Sequence, residues 1–319
     1  MDSLLKWAIL NSATAGEDAP HDASRAVPQK LDPAVIDAIL GKPASVQMTE
    51  CMDAVEHKET PTAARIIALD DLEMLVGNID NASNVEPLRL WPRLGTLYHD
   101  ADAGVRAGAL WVSATALQHN QRAQAAFARH ALLAPALALA EGDGDEAVRA
   151  KALLCVSAFV RANPAGLAEF VAAGGLALLR RVMDAAPAPH AQRILFLLGA
   201  LVDEALDDAT PETLDDATPE TLRPAARLPA AIADLGFVDA AAAAVLRFAG
   251  DAAVFGRVTA FLASLAATPD GRAAVRASAA LRQVVDQARA SADPEDVATL
   301  DAITADPEDK VAPDAITAD

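Results

Sequence analysis

An all-α fold, built as a right-handed solenoid of stacked helical repeats, is what three features of this 319-residue chain predict. The first is composition: 53% of the side chains are apolar, only 4% are aromatic, and roughly a quarter are alanine. Alanine is the best helix former, and the aromatic residues that favour strands are thin. The second is a repeat. The stretch VRAGALWVSATALQHNQRAQAAF (105–127) aligns with VRAKALLCVSAFVRANPAGLAEF (148–170) at an offset of 43 residues without a gap. The alignment pairs Val105 with Val148, Arg106 with Arg149, Leu110 with Leu153, Asn120 with Asn163 and Phe127 with Phe170. A looser copy, HAQRILFLLGALV (190–202), follows at an offset of 42, and a fourth lies around 255–275 with Pro269 opposite Pro164. The third feature is that this period, in the range of about 40–47 residues, comes without strand signals. Together they predict about four armadillo-like repeats behind N-terminal capping helices, each unit stacked on its neighbours because none can bury its apolar faces alone.

Residues 3–11 place Leu4, Leu5, Ala8 and Ile9 at helical spacing behind Ser3, with Trp7 beside them, which predicts a short amphipathic helix. From Ser12 to Lys30 the chain is polar and proline-bearing, so residues 1–30 read as a flexible segment. Asp32-Pro33 opens a helix that Gly41 stops, Ser45–Lys58 supplies another, and Thr62–Ile79 a third; we take 31–84 as the capping helices. The repeat domain then spans 85–290, with Val148–Ala162 apolar nearly all round, as a helix packed on both sides should be. Gly174-Gly175 is a helix stop. DDATPETL occurs twice in tandem (207–214, 215–222), and DPEDVATLDAITAD (293–306) recurs with four changes as DPEDKVAPDAITAD (306–319). Such duplications are tolerated in loops and tails, and we read 291–319 as an acidic, disordered tail.

Charge and cysteine content exclude several classes. A formal charge of −19 argues against nucleic acid and anionic membranes as partners. Cys51 and Cys155 have no metal-type spacing and suggest a reducing compartment. The apolar runs 131–140 and 194–202 are about half of the roughly 20 residues that a membrane span requires. The start, MDSLLKWAIL, does not read as a secretory signal, so a cytoplasmic location is expected. No phosphate loop, H-E-x-x-H, C-x-x-C or G-x-S-x-G is present, and the six histidines are scattered. No catalytic residue, metal ligand or cofactor is expected, and a capped solenoid has no need to self-associate.

Function is therefore sought on a surface. Aligning the long helices puts Gly108, Lys151 and Arg193 in one column and Gln118, Arg161 and Asp203 in another. Arg149, Lys151, Arg161 and Arg193 are cations in acidic, apolar surroundings, placed where a partner carboxylate could be gripped or where neighbouring repeats could pair. The Trp-Asn ladder of armadillo proteins that bind nuclear-localisation peptides is missing: Trp111 is followed four residues on by Thr115, and its equivalents are Leu154 and Phe196. Trp111 is read as a core residue.

LLKWAILNS (4–12), a spacer, LDPAVIDAIL, ALDDLEMLVGNIDNASNVEPLRLW (68–91), GALWVSATALQHN (108–120) and KALLCVSAFVRANP (151–164) stand in an order that resembles the armadillo-type nucleotide exchange factors of heat-shock protein 70 chaperones, the Fes and HspBP family. The resemblance implies a co-chaperone without chemistry of its own. It would bind the ATPase domain of a cytosolic heat-shock protein 70, open the nucleotide cleft and release ADP. The family's contact element DNANN corresponds to Asp80-Asn81-Ala82-Ser83-Asn84, which makes Asn81, Ala82 and Asn84 contact candidates, with Ala82 as the small residue at the point of approach. Leu4, Leu5, Trp7 and Ile9 correspond to a segment associated with client release. The competing reading is a general armadillo scaffold for an unrelated partner.

Overall fold

The computed structural model describes residues 41–207, 219–291 and 294–305, and among them every regular element is an α-helix. They fall into triplets. A first unit contributes α1 (Ala44–Glu56) and α2 (Thr62–Val76). Four complete units follow: α3 (Ile79–Asn84), α4 (Leu90–Leu97) and α5 (Ala103–Leu117); α6 (Gln121–Arg129), α7 (Leu133–Gly142) and α8 (Glu146–Val160); α9 (Pro164–Ala172), α10 (Gly175–Ala185) and α11 (Ala188–Asp207); α12 (Pro219–Asp234), α13 (Phe237–Arg247) and α14 (Ala252–Ala266). The described chain closes with α15 (Pro269–Ala277), α16 (Ala279–Ser291) and α17 (Pro294–Thr304). The third helices α2, α5, α8, α11 and α14 pack in that order, forming a continuous ladder.

The sequence repeat is largely a repeat of helix boundaries. Asp102, Asp145 and Asp251 each accept backbone N–H bonds at the start of α5, α8 and α14. Asn120, Asn163 and Thr268 do the same for α6, α9 and α15, with Pro164 and Pro269 in the first turn. Each such cap contributes about 1 kcal/mol. The turn between first and second helices recurs as one left-handed residue: Arg89 (φ 56°), Ala131 (φ 53°), Gly174 (φ 74°) and Gly236 (φ 73°). Glycine adopts that conformation freely, whereas the other two carry a steric cost.

Scarce aromatics are concentrated where repeats meet. Trp91 and Phe127 meet edge to face at 5.7 Å, and Phe127 and Phe159 at 5.1 Å, all fully buried. Small residues do the rest. A Cβ on Gly108 would lie 2.9 Å from Leu69 Cδ1, so α5 rests on α2 closer than alanine would allow.

Two expectations need correction. The helix predicted for Thr62–Ile79 ends at Val76, because Asn78 turns its side chain to accept the N–H groups of Asp80 and Asn81 and starts α3. At the N-terminal end of the described ladder, α2 packs on α5 as α5 packs on α8. Part of the segment read as a disordered tail is helix: α17 seats Leu300 in the core with Val297 and Ile303 half-buried at spacing three, and Arg289 pairs with Asp301 at 2.6 Å. The predicted segment 1–30, the helix at 33–40, most of the duplicated loop and residues 306–319 lie outside the described residues.

Candidate functional site

The outward edge of the third-helix ladder carries the exposed chemistry. On α2, Ile67 is 60% and Met74 69% exposed, with Asp70 and Asp71 between them. Positions 67, 70, 71 and 74 share one helical face. Thr115 on α5 donates to Glu73 Oε1 at 2.7 Å, and Trp111, one turn earlier, lies half-buried. Trp111 is thus not a core residue. Its indole face carries the Lys151 ammonium of α8 at 3.3 Å from the ring centre, an attraction worth about 0.5–2 kcal/mol. Burial lowers the Lys151 pKa, the Arg193 charge acts the same way, and Glu73 and Asp70 oppose both.

Farther along, Phe196 of α11 is 41% exposed and flanked by two guanidinium groups: Arg257 of α14 at 4.8 Å and Arg161 at 5.4 Å. Arg193, one turn before Phe196, is half-buried, and burial lowers its pKa. Among the described residues, Lys151, Arg193 and Arg257 hold no carboxylate. Three cations that the fold does not neutralise therefore share the ladder with an exposed aromatic ring.

The remaining cation candidates serve the repeats themselves. Arg106 grips the Asp143 carboxylate through two bonds of 2.8 and 2.9 Å and also reaches the Asp100 carbonyl at 2.8 Å. Arg149, its equivalent one repeat on, donates to the Asp143 carbonyl at 2.6 Å. Arg65 holds Asp100 in the preceding repeat. Arg149 is thus used within its own repeat, fastening α8 to the turn that precedes it. Arg161 is likewise occupied, donating to Glu204 Oε1 at 3.0 Å while the Ala162 N–H donates to the other oxygen.

The Asn-rich turn also differs from expectation. Ala82 is 3% exposed, so its methyl group faces the core and not a partner. Asn81 donates its amide to the Leu75 carbonyl at 2.9 Å and helps hold the break between α2 and α3. Ser83 accepts from Asn120 at 3.3 Å, and Asn84 is half-buried. Leu4, Leu5, Trp7 and Ile9 lie outside the described residues.

Sequence reasoning missed Phe196 and Arg257 as a pair. Phe196 stood in the Trp111 column, but Arg257 lies 64 residues beyond Arg193, because residues between α11 and α12 lengthen this repeat. Cys155 is no reactive candidate: it is fully buried 3.9 Å from the Tyr98 hydroxyl, and burial pushes its thiol up to about 12. No group of three or more metal-ligating side chains occurs among the described residues.

Comparison with known proteins agrees with the architecture. A family model described as nucleotide exchange factor Fes1 matches residues 1–85. The Hsp70 nucleotide exchange factor FES1 of Coccidioides immitis is 33% identical over 172 residues, covering 53% of this chain and 81% of the relative. The chain belongs to the Fes1 family. Another Fes1 protein, that of Schizosaccharomyces pombe, is 36% identical over 170 residues, which is 53% of this chain and 57% of the relative. The chain spans little more than half the length of that relative and of the one from Mycosarcoma maydis, at 57% and 54%. Among solved structures, a designed armadillo repeat protein in complex with the peptide (KR)4 matches with a TM-score of 0.61 at 14% identity, covering 80% of this chain and 97% of that one. That likeness places the Fes1-family chain in the armadillo fold.

Proposed function

We propose that this Fes1-family chain is a non-enzymatic co-chaperone that promotes nucleotide exchange on a cytosolic heat-shock protein 70. It does so by holding one lobe of the chaperone's ATPase domain against the third-helix ladder. The observation that carries the reading is the set of cations left without carboxylate partners on the ladder, Lys151 on Trp111, Arg193, and Arg257 on exposed Phe196. A guanidinium without an internal partner is free to take a partner carboxylate bidentately, and the ring supplies an apolar anchor beside it. The relatives, each called an Hsp70 nucleotide exchange factor, support the choice of partner.

The mechanism is linkage. A protein that binds the open, empty ATPase domain better than the closed ADP form weakens ADP binding by the same factor. No chemistry at the ladder is required, only differential contact between the two lobe positions. The apolar N-terminal segment around Leu4, Leu5, Trp7 and Ile9 is the candidate for client release, since an apolar stretch flanked by polar residues resembles a client. The chain acts in the cytoplasm as a monomer in this reading.

Stopped-flow release of labelled ADP from a cytosolic heat-shock protein 70 tests the proposal. The chain accelerates release, and Arg193→Ala combined with Arg257→Ala raises the concentration needed by about 30-fold or more, as for loss of a hot-spot arginine. No acceleration by the wild-type chain refutes the function. Acceleration unchanged in the double variant refutes the site.

A further inference from the structure

The chain itself contains a segment with the chemistry that the ladder's open cations call for. Residues 306–319 carry Asp306, Glu308, Asp309, Asp314 and Asp319 against one base, Lys310. They repeat the sequence of α17, but the copy replaces Leu300, the residue that seats α17 in the core, by Pro313, and half-buried Val297 by Lys310. The copy thus keeps the acids and loses the anchors. In sequence it follows directly on α17, which packs against α14, and α14 packs against α11.

Reach is sufficient. Two helix spacings separate α17 from α11, about 16–20 Å, whereas fourteen residues extend to about 46–50 Å. The crossing is also electrostatically open, because α14 contains no acidic residue and exposes only small side chains at Gly256, Ala260 and Ala263. On α11 the exposed acid Asp203 lies two turns beyond Phe196, which favours the Arg193 end. We infer that the acidic tail, residues 306–319, docks on the ladder at Arg193, Phe196 and Arg257 and occupies the binding face until a partner displaces it. The tail is a built-in competitor for that face, so its removal exposes all three residues. The regulatory consequence rests on the ladder being the chaperone-binding face, but the contact does not.

The contact is read directly in the full chain. Cys51→Ser removes the half-buried thiol, buried Cys155 escapes labelling, and Ala315→Cys carries a bimane fluorophore that tryptophan quenches only at contact range. Phe196→Trp supplies the quencher at an exposed position, and retained helical dichroism shows that it folds. The tail fluorophore is at least twofold dimmer with Trp at 196 than with Phe. The difference vanishes in 1 M salt, where the screening length is about 3 Å. It also vanishes with Arg193→Ala plus Arg257→Ala, and when the five tail acids are changed to amides in a protein whose helical dichroism is retained. Equal brightness of the two proteins overturns the inference, and so does quenching that survives salt or a neutral tail. Because no chaperone is present, this outcome is separate from that of the ADP-release experiment. If both succeed, truncation after Ala305 lowers the concentration that half-maximally accelerates ADP release.

Discussion

Replacing Arg106 by alanine separates cations that hold the solenoid together from cations that are open to a partner. The Arg106 side chain is 17% exposed and that of Asp143 6%, and their two hydrogen bonds span two successive repeats. Removing the guanidinium leaves a nearly buried carboxylate whose remaining partner is the Asp145 N–H at 2.9 Å. Breaking a buried pair from one side costs about 3–5 kcal/mol, and partial exposure of Arg106 brings the expectation to about 2–4 kcal/mol. About 3 kcal/mol corresponds to a fall of about 6–12 °C in Tm for a domain of this size. Removing Asp143 as well should recover part of the loss, because no charge is then stranded. Arg193→Ala removes a guanidinium that holds no carboxylate and lies near Lys151, so it should shift stability by less than about 0.5 kcal/mol. Urea unfolding followed by helical dichroism compares the four proteins. Arg106→Ala within about 0.5 kcal/mol of wild type, or Arg193→Ala as costly as Arg106→Ala, would refute the division into stacking and binding cations.

Other consequences are open to measurement. Ala131→Gly relieves a left-handed residue at an exposed turn where the next repeat has Gly174; after the entropy cost of glycine it should stabilise by about 0.5–1 kcal/mol in thermal melts. Gly174→Ala should shift melting in the opposite direction. Ala82→Arg forces a charge into a site that is 3% exposed, so any loss of partner binding should come with a loss of helical signal; a well-folded variant would show that this turn opens. His190 is buried and its pKa is lowered by that burial. The unfolded chain then binds the extra proton first, so stability is complete above about pH 6.5 and falls on acidification, by at most about 1.4 kcal/mol per pH unit for this group. His190→Gln should flatten that slope, as unfolding measured at pH 5 and 7 will show. Asp143, held below its usual range chiefly by Arg106, acts in a separate window, its contribution being lost only as pH falls below about 4.

The sequence alone carried the repeat period, the helical class and most boundaries, because these rest on local signals. Asp and Asn caps, a proline in the first turn and a glycine after the first helix act within a few residues of where they stand, so Asn120 and Asn163 mark helix starts in the string as clearly as in space. The 43-residue offset is legible for the same reason. What the string could not decide is which of several similar cations is used up by the fold. Arg149, Lys151, Arg161 and Arg193 read alike, yet one binds a carbonyl 6 residues away, one lies on an indole 40 residues away, one pairs with a carboxylate 43 residues away, and one has no carboxylate partner. Those differences are set by how closely third helices stack, which depends on Gly108 against Leu69 and on side chains meeting between repeats. Burial of Ala82 and of Leu300 was hidden for a related reason: periodicity shows that a helix has an apolar face, but only tertiary packing shows what covers it.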